Sequence, residues 1–455
     1  MNDLKVKLSK KDRRLFYALM LPALAENLLA RIFHIADSMM LGQMPNSTLA
    51  VAAGGLCASP INLIISVSSA FFIGTTATIA WHYGADEKRR MRTSAWQSMG
   101  LSVIIAVILA LITAIFAPQI MGFVFGGNEA YSRAVSYYRI NSVGFLFQIM
   151  TAAITASLRG IGISKISLYY NAIGGVVNVV LNYALIYGKW GLPALASDGA
   201  AIATVIAKFV SFAIALTVIF FKKTELDIRL GIDKKLEKSL FTRTFPIGIT
   251  AAGEQVILQS GAIVSARILS TLPITAVASN QIISSIEAFA WATGGACQTA
   301  STSLFGRALG KHDEPQARAF LRLSVTWALF FAAAEILLFI FFGKPIARMF
   351  TNDSSLYSLV TILLLFAAAE LPFVNVHSAV SGALRSAGDS IAPLIASFLS
   401  LWIFRVFAGF IAVSVLDLGI YAFRGSIIAD QFVRCTIIVI FYLTGHWKKY
   451  LFKKK

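Results

Sequence analysis

The sequence predicts an all-α polytopic membrane protein of twelve transmembrane helices, arranged as two six-helix lobes related by a pseudo-two-fold axis along the membrane normal. Three observations carry that prediction. The 455 residues are 57% hydrophobic and only 14% charged, too apolar for an ordinary soluble domain. Apolar runs of the roughly 20 residues needed to cross about 30 Å of hydrocarbon recur along the whole chain. Polar signatures also recur at one fixed offset, which marks a duplication.

The runs lie near 15–42, 49–82, 94–117, 132–158, 166–187, 199–221, 246–272, 275–306, 319–342, 355–383, 391–415 and 421–445. The first carries Glu26 and Asp37 and lacks a small-residue cleavage pattern, so it is expected to be retained rather than removed as a signal. Cys57, Cys297 and Cys435 all fall inside runs, which argues against a disulfide framework and for packing roles.

Charge between the runs sets the orientation. With the N-terminus inside, the tail "KVKLSKKDRR", the loops "GADEKRRMR", "RGIGISK", "FKKTELDIRLGIDKKLEKSLFTR" and "RALGKHDEPQARAFLR", Arg385 and the tail "HWKKYLFKKK" hold 29 of the 40 Lys and Arg. The opposite loops hold five: Arg133, Lys189, Lys344, Arg348 and Arg424. This positive-inside asymmetry predicts a multi-pass protein of the cell (plasma or inner) membrane with both termini cytoplasmic. It also accounts for the net charge of +18 without nucleic acid, for which no aromatic-interleaved basic module exists.

The repeat has an offset of 226. Ala50, Val51 and Ala52 in "STLAVAAG" fall on Ala276, Val277 and Ala278 in "PITAVASN", and the same shift pairs Thr76 with Thr302, Gly84 with Gly310 and Arg92 with Arg318. Further on, Leu158, Arg159, Gly162 and Ser164 of "LRGIGIS" fall on Leu384, Arg385, Gly388 and Ser390 of "LRSAGDS". Shared apolarity cannot explain polar loop signatures that keep register over more than a hundred residues. Six spans per repeat is an even number, so both halves enter the membrane the same way, as in some secondary transporters. The domains expected are an N-lobe over 1–221, a cytoplasmic linker over 222–245 with seven Lys and Arg, and a C-lobe over 246–455.

Function is sought in the charges that apolar spans retain. A charge at the bilayer centre costs about 2.5–3.5 kcal/mol on insertion scales, so it faces a protein interior or a watery cavity and marks an ion or substrate path. Glu26 and Asp37 are eleven residues apart, which puts them within about 20° of one helix face and roughly 16 Å apart along the axis. Two carboxyls on one stripe at different depths could pass a cation or proton between them. The alternative is that Arg31 or another buried cation neutralises one of them permanently. His34 precedes Asp37 by three residues and is placed to lean on it.

The second half pairs Glu26 with Glu254 and Asn27 with Gln255, while the Asp37 position becomes Ser265. Glu287, Glu335 and Glu370 add acids in spans eight, nine and ten. Glu287 and Glu370, with Gln255, are candidates for a second-lobe site, and Glu335 leans to a structural role. In span five Asn178 and Asn182 are spaced i, i+4, with Asn171 seven residues before Asn178. Their amides could accept from a protonated acid or coordinate a cation beside Asp37, or simply bond between helices. Pro22, a turn before Glu26, frees backbone carbonyls and predicts a hinge.

Several stretches together resemble the multidrug and toxic compound extrusion (MATE) transporters over nearly the entire chain. They are "IADSMMLGQM" with the following "LAVAAGG", the loops "WHYGADEKRRMR" and "FGRALGKHDEPQARA", "LNYALIYGKWGLPALASDGAAIAT", "GALRSAGDS", "LWIFRVFAGF" and the late "GHW". The resemblance implies a pump that exchanges inward-moving Na⁺ or H⁺ for outgoing, often cationic, amphipathic compounds by alternating access. It implies Asp37 with Asn178, Asn182 and Tyr138 as the N-lobe cation and protonation site and Glu254 as the C-lobe acid. Na⁺ could sit at Asp37 or at Glu254. Some members carry an Asp where Asn182 stands, and the family's span-ten acid aligns only loosely with Glu370, so the coupling ion stays open.

The expected partners are small-molecule substrates and membrane lipids, with no cofactor beyond the coupling ion and a monomeric chain. The competing transport reading is a flippase or exporter of lipid-linked or other amphipathic metabolites in the same superfamily. An ATP-driven pump is disfavoured by the lack of a GxxxxGK[ST] loop. An integral membrane enzyme is disfavoured by five scattered His with no metal spacing. A passive channel is disfavoured because two duplicated lobes carry no evident filter.

Overall fold

The computed structural model describes residues 8–42, 47–125, 131–221, 224–226, 238–350 and 354–451. Most of the expected linker, at 222–223 and 227–237, lies outside the described residues. The helices run in order as α1 (Lys10–Gly42), α2 (Ser47–Phe71), α3 (Ile73–Gly84), α4 (Lys88–Ile115), α5 (Ala117–Phe125), α6 (Tyr131–Gly160), α7 (Lys165–Tyr187) and α8 (Ala196–Phe221). The second half continues with α9 (Lys238–Leu269), α10 (Ile274–Gly310), α11 (Glu314–Phe350), α12 (Ser354–Ala387), α13 (Ile391–Ser400), α14 (Gly419–Leu443) and the short α15 (Lys448–Leu451).

Eleven helices among the described residues are long and apolar enough to cross a bilayer. The span expected over 275–306 falls in α10, which is absent from that set although it runs for 37 residues. Its Ser, Thr, Asn, Gln and Glu287 dilute the apolar run, and many of them are buried, so the helix hides polar groups in protein rather than showing apolar ones to lipid. The other runs expose large apolar side chains such as Ile104, Ile108 and Leu111 on α4 and Phe341 and Phe342 on α11, the composition a lipid-facing surface requires.

The chain divides into two compact units, Ala25–Gly248 and Met1–Leu24 with Ile249–Lys455. The divisions fall inside α1, two residues after Pro22, and inside α9, two residues after Pro246. In the first unit α6 packs against α2, α4 and α8, and α7 against α8. In the second, α12 packs against α10, α11 and α14 around Leu363, Leu364, Ala367 and Leu371, all fully buried. Beyond α13 the chain continues in wider π-helical turns over Leu401–Ala408 and Ile411–Val415, a departure often found where a side chain is being aimed. Arg405 lies in the first of these turns.

The duplication is legible in the backbone. Gly162 and Gly388, 226 apart, both take left-handed conformations, with φ of 92° and 100°. Each closes the preceding helix with the same pair of bonds. Ile163 N–H donates to Leu158 and Gly162 N–H to Arg159, at 2.9 and 3.0 Å. Asp389 N–H donates to Leu384 and Gly388 N–H to Arg385, at 2.9 and 3.1 Å. These are helix C-terminal caps that need a residue free to adopt positive φ, which is why both signatures carry glycine there. The paired loops after α3 and α10 repeat likewise: Asp86 and His312, again 226 apart, have φ of 56° and 60°. In the first of those loops His82 Nδ1 meets Glu87 at 2.6 Å. Burial alone would raise the Glu87 carboxyl, but the His82 hydrogen bond and the charges of His82 and Arg90 outweigh it and leave it below its ordinary value.

Candidate ion-coupling site

The repeated cap delivers an arginine. Arg159 sits in the last turn of α6, directly before the capped loop, and its Nη2 donates to Glu26 Oε2 of α1 at 2.9 Å. Two residues of α7 complete the shell: Ser167 Oγ donates to the same oxygen and Asn171 Nδ2 to Oε1, each at 2.8 Å. A cavity of about 150 Å³ opens on this cluster and is lined otherwise by small hydroxyls, the Gln148 amide and the apolar Phe72, Ile73, Ala152 and Ala156. In the second unit Arg385, at the matching place on α12, donates to Glu254 Oε2, and Ser397 Oγ of α13 donates to Oε1 at 2.8 Å. Ser397 lies 226 residues after Asn171 and serves the corresponding oxygen. Glu254 is 2% exposed and Arg385 4%, so this pair is sealed.

Of the cations that could neutralise Glu26, Arg31 is exposed and Arg159 is the one that pairs with it. Glu26 and Glu254 thus have the geometry of permanently neutralised acids. Gln255 is only partly buried and is not among the partners of Glu254, because adjacent helix residues point about 100° apart.

Asp37 is held differently. Asn182 Nδ2 of α7 donates to Asp37 Oδ1 at 2.5 Å, Asn182 also reaches Asn178 Oδ1 at 3.3 Å, and Asn178 Nδ2 donates to Thr204 Oγ1 of α8 at 3.2 Å. The chain Asp37–Asn182–Asn178–Thr204 therefore links α1, α7 and α8 through neutral groups. The Asn182 amide oxygen is fully buried and finds no donor among the described residues. His34 is exposed, and the bonded partner of Asp37 is Asn182. Tyr138 is buried with Cys57, Met121 and Ala134, in a different cluster. Its neighbour Tyr137 is the tyrosine whose ring lies within reach of the Asp37 charge, packed with Leu41, Ile186 and Ala200. One residue of offset turns the helix face by about 100°, enough to exchange the two.

Four further acids within spans of the second unit fall into three groups. Glu287 on α10 accepts from Arg424 of α14, which also reaches Asn280 Oδ1 at 3.4 Å, and Glu370 on α12 faces both Glu287 and Arg424. Neither oxygen of Glu370 finds a donor among the described residues, although it is 1% exposed. Arg405, one of the two arginines on Asp430, also acts on Glu370, so the acids and arginines of this region form one connected network. Asp430 of α14 is clasped by Arg434 at 2.7 Å and by Arg405 at 2.7 Å. Glu335 accepts from Thr293 Oγ1 at 3.0 Å.

Sequence reasoning passed over Thr204, Lys208, Tyr137, Arg405, Asp430 and Arg434, and Arg424, expected in an outer loop, lies buried within α14 instead. A lysine at the middle of a span and arginines inside spans eleven and twelve were the available signal. The offset of 226 sharpens it, since Thr204 falls on Asp430 and Lys208 on Arg434.

The MatE family model matches residues 22–184 and again 251–411, so it is met once in each half. A probable multidrug resistance protein NorM of Thermotoga maritima is 29% identical over 440 residues, covering 96% of this chain and 93% of that protein. An uncharacterized transporter YisQ of Bacillus subtilis is 25% identical over 399 residues, covering 88% and 87%. Among solved structures, the outward-facing conformation of a multidrug resistance MATE family transporter of the MOP superfamily matches with a TM-score of 0.88 at 20% identity, covering 97% of both chains. A MOP superfamily transporter from Pyrococcus furiosus, described as having reversed binding-pocket polarity, matches with a TM-score of 0.87 at 21% identity, again over 97% of both. The likeness to these structures establishes the fold, twelve helices in two lobes.

Proposed function

The chain belongs to the MatE family of membrane transporters, and from that premise we propose that it is a secondary antiporter exporting small, often cationic amphipathic compounds in exchange for inward-moving Na⁺ or H⁺. The reading places it in the cell membrane with both termini cytoplasmic, working as a monomer by alternating access. It is supported by the multidrug-resistance descriptions of the relatives and by the positive-inside distribution of Lys and Arg.

The observation that carries the coupling role is the Asp37 cluster. Its acid is bonded to an amide rather than to an arginine, so its charge can be changed without stranding a buried guanidinium. Two chemistries fit the same groups. A protonated Asp37 would donate to an amide oxygen, and Asp37 with the Asn182 and Asn178 amide oxygens and the Thr204 hydroxyl would offer hard oxygen ligands to Na⁺. In either case loading changes the charge balance of a site between three helices and shifts the preferred conformation by the difference in its energy. Glu26 and Glu254, each bound to an arginine, act in this reading as ties between helices, while Glu287 and Glu370 with Arg424 form a second acidic centre. The carboxylates would also attract a cationic cargo.

Everted vesicles loaded by an imposed ion gradient test this. Wild type should extrude a fluorescent cation, and Asp37→Asn should lose at least tenfold of the gradient-driven rate at equal protein level. An unchanged rate in Asp37→Asn would remove the cluster from the mechanism.

A further inference from the structure

Lys208 stands at the middle of α8, twelve residues from its start and thirteen from its end, where a lone ammonium is costly and must find an acid. Its slot is built by α6. A Cβ on Gly144 would lie 3.2 Å from Lys208 Cδ and 3.6 Å from Nζ, so glycine there leaves the room the side chain uses, and Nζ lies 5.5 Å from the centre of the Phe145 ring. The acid whose charge acts on Lys208 is Asp37, and the cation whose charge acts on Asp37 is Lys208. The bonded chain from Asp37 through Asn182 and Asn178 reaches Thr204, one turn before Lys208 on the same helix. The second unit keeps a cation at the matching place, Arg434, already engaged with Asp430.

From this placement we infer that Lys208 is a resident counter-cation of the Asp37 cluster and sets its ion selectivity by keeping Na⁺ out. A free cation entering the oxygen set of Asp37, Asn178, Asn182 and Thr204 would meet a fixed positive charge on the next turn of the same helix, within a low-dielectric interior where such repulsion is weakly screened. The acid already has its counter-charge, supplied by the chain. This deepens the function proposed above and rests on it only in taking the Asp37 cluster as the coupling site.

The test is Na⁺ binding to purified full-length protein in detergent, with choline as the control cation, read by isothermal titration and by Na⁺-dependent thermal stabilisation. Wild type should show no Na⁺ signal that Asp37→Asn removes. Lys208→Met should gain Na⁺ affinity by at least tenfold, the gain should vanish in the Lys208→Met, Asp37→Asn double variant, and Lys208→Arg should still exclude the ion. A wild-type Na⁺ signal abolished by Asp37→Asn and no weaker than that of Lys208→Met would overturn the inference, and that comparison stands on the wild-type arm even if Lys208→Met fails to fold. Because binding is measured without transport, a failure here is distinct from export persisting in Asp37→Asn.

Discussion

The two units hold the same tie and differ in the acid and amides set beside it. In the first, Arg159 holds Glu26 with Ser167 and Asn171; in the second, Arg385 holds Glu254 with Ser397, delivered by the same glycine-capped helix end. Asp37, Asn178 and Asn182 have no such echo. Their places in the second unit fall on Ser265, Phe404 and Ala408, and the only acid in the row is Asp430 opposite Thr204, drawn into a clasp by two arginines. A feature that duplication preserved on both sides serves what both sides need, which is holding helices at a fixed spacing. The feature present on one side alone is where a transport role can be assigned.

That contrast can be broken most severely at the sealed tie. Arg385→Met should destabilise the protein by about 3–5 kcal/mol, because it leaves Glu254 charged and buried without a partner. Arg159→Met should cost less, since its side chain and that of Glu26 are 22% and 12% exposed against 4% and 3% in the other pair. Thermal unfolding in detergent measures both, and equal losses would mean the two ties are equally sealed. A smaller effect is expected at the caps: Gly388→Ala and Gly162→Ala should each cost about 1–2 kcal/mol, the penalty for an L side chain at positive φ. The two losses should be similar, since both glycines take nearly the same positive φ and the Cβ added at Gly388 would meet Tyr450 only at an ordinary contact distance of 3.4 Å. Stabilisation by either substitution would contradict the caps.

Much of the scaffold was readable beforehand because it rests on periodic or local signals. Long apolar runs, the loop signatures at an offset of 226 and the acids within spans all persist in the folded chain. The partners were harder. Arg159 and Arg385 were visible as repeat markers, yet nothing periodic connects them to acids 133 and 131 residues away in sequence. Lys208 is a single residue in an apolar span and leaves no pattern. The family resemblance implies Tyr138, while Tyr137, about 100° further round the helix, is the tyrosine near Asp37. The span over 275–306 shows the converse, a helix recognised despite polar content that only burial against α11 and α12 makes tolerable.

The central claim is that the acid unique to one unit powers transport while the duplicated acids hold helices. Replacing the whole first tie by Glu26→Gln with Arg159→Met removes charge and counter-charge together, a change that need not unfold the protein. The decisive measurement is cargo flux in proteoliposomes with Na⁺ and pH gradients imposed separately. The account predicts that this double variant keeps gradient-dependent flux within about threefold of wild type while Asp37→Asn loses it. Flux retained in Asp37→Asn and lost in the folded double variant would contradict it.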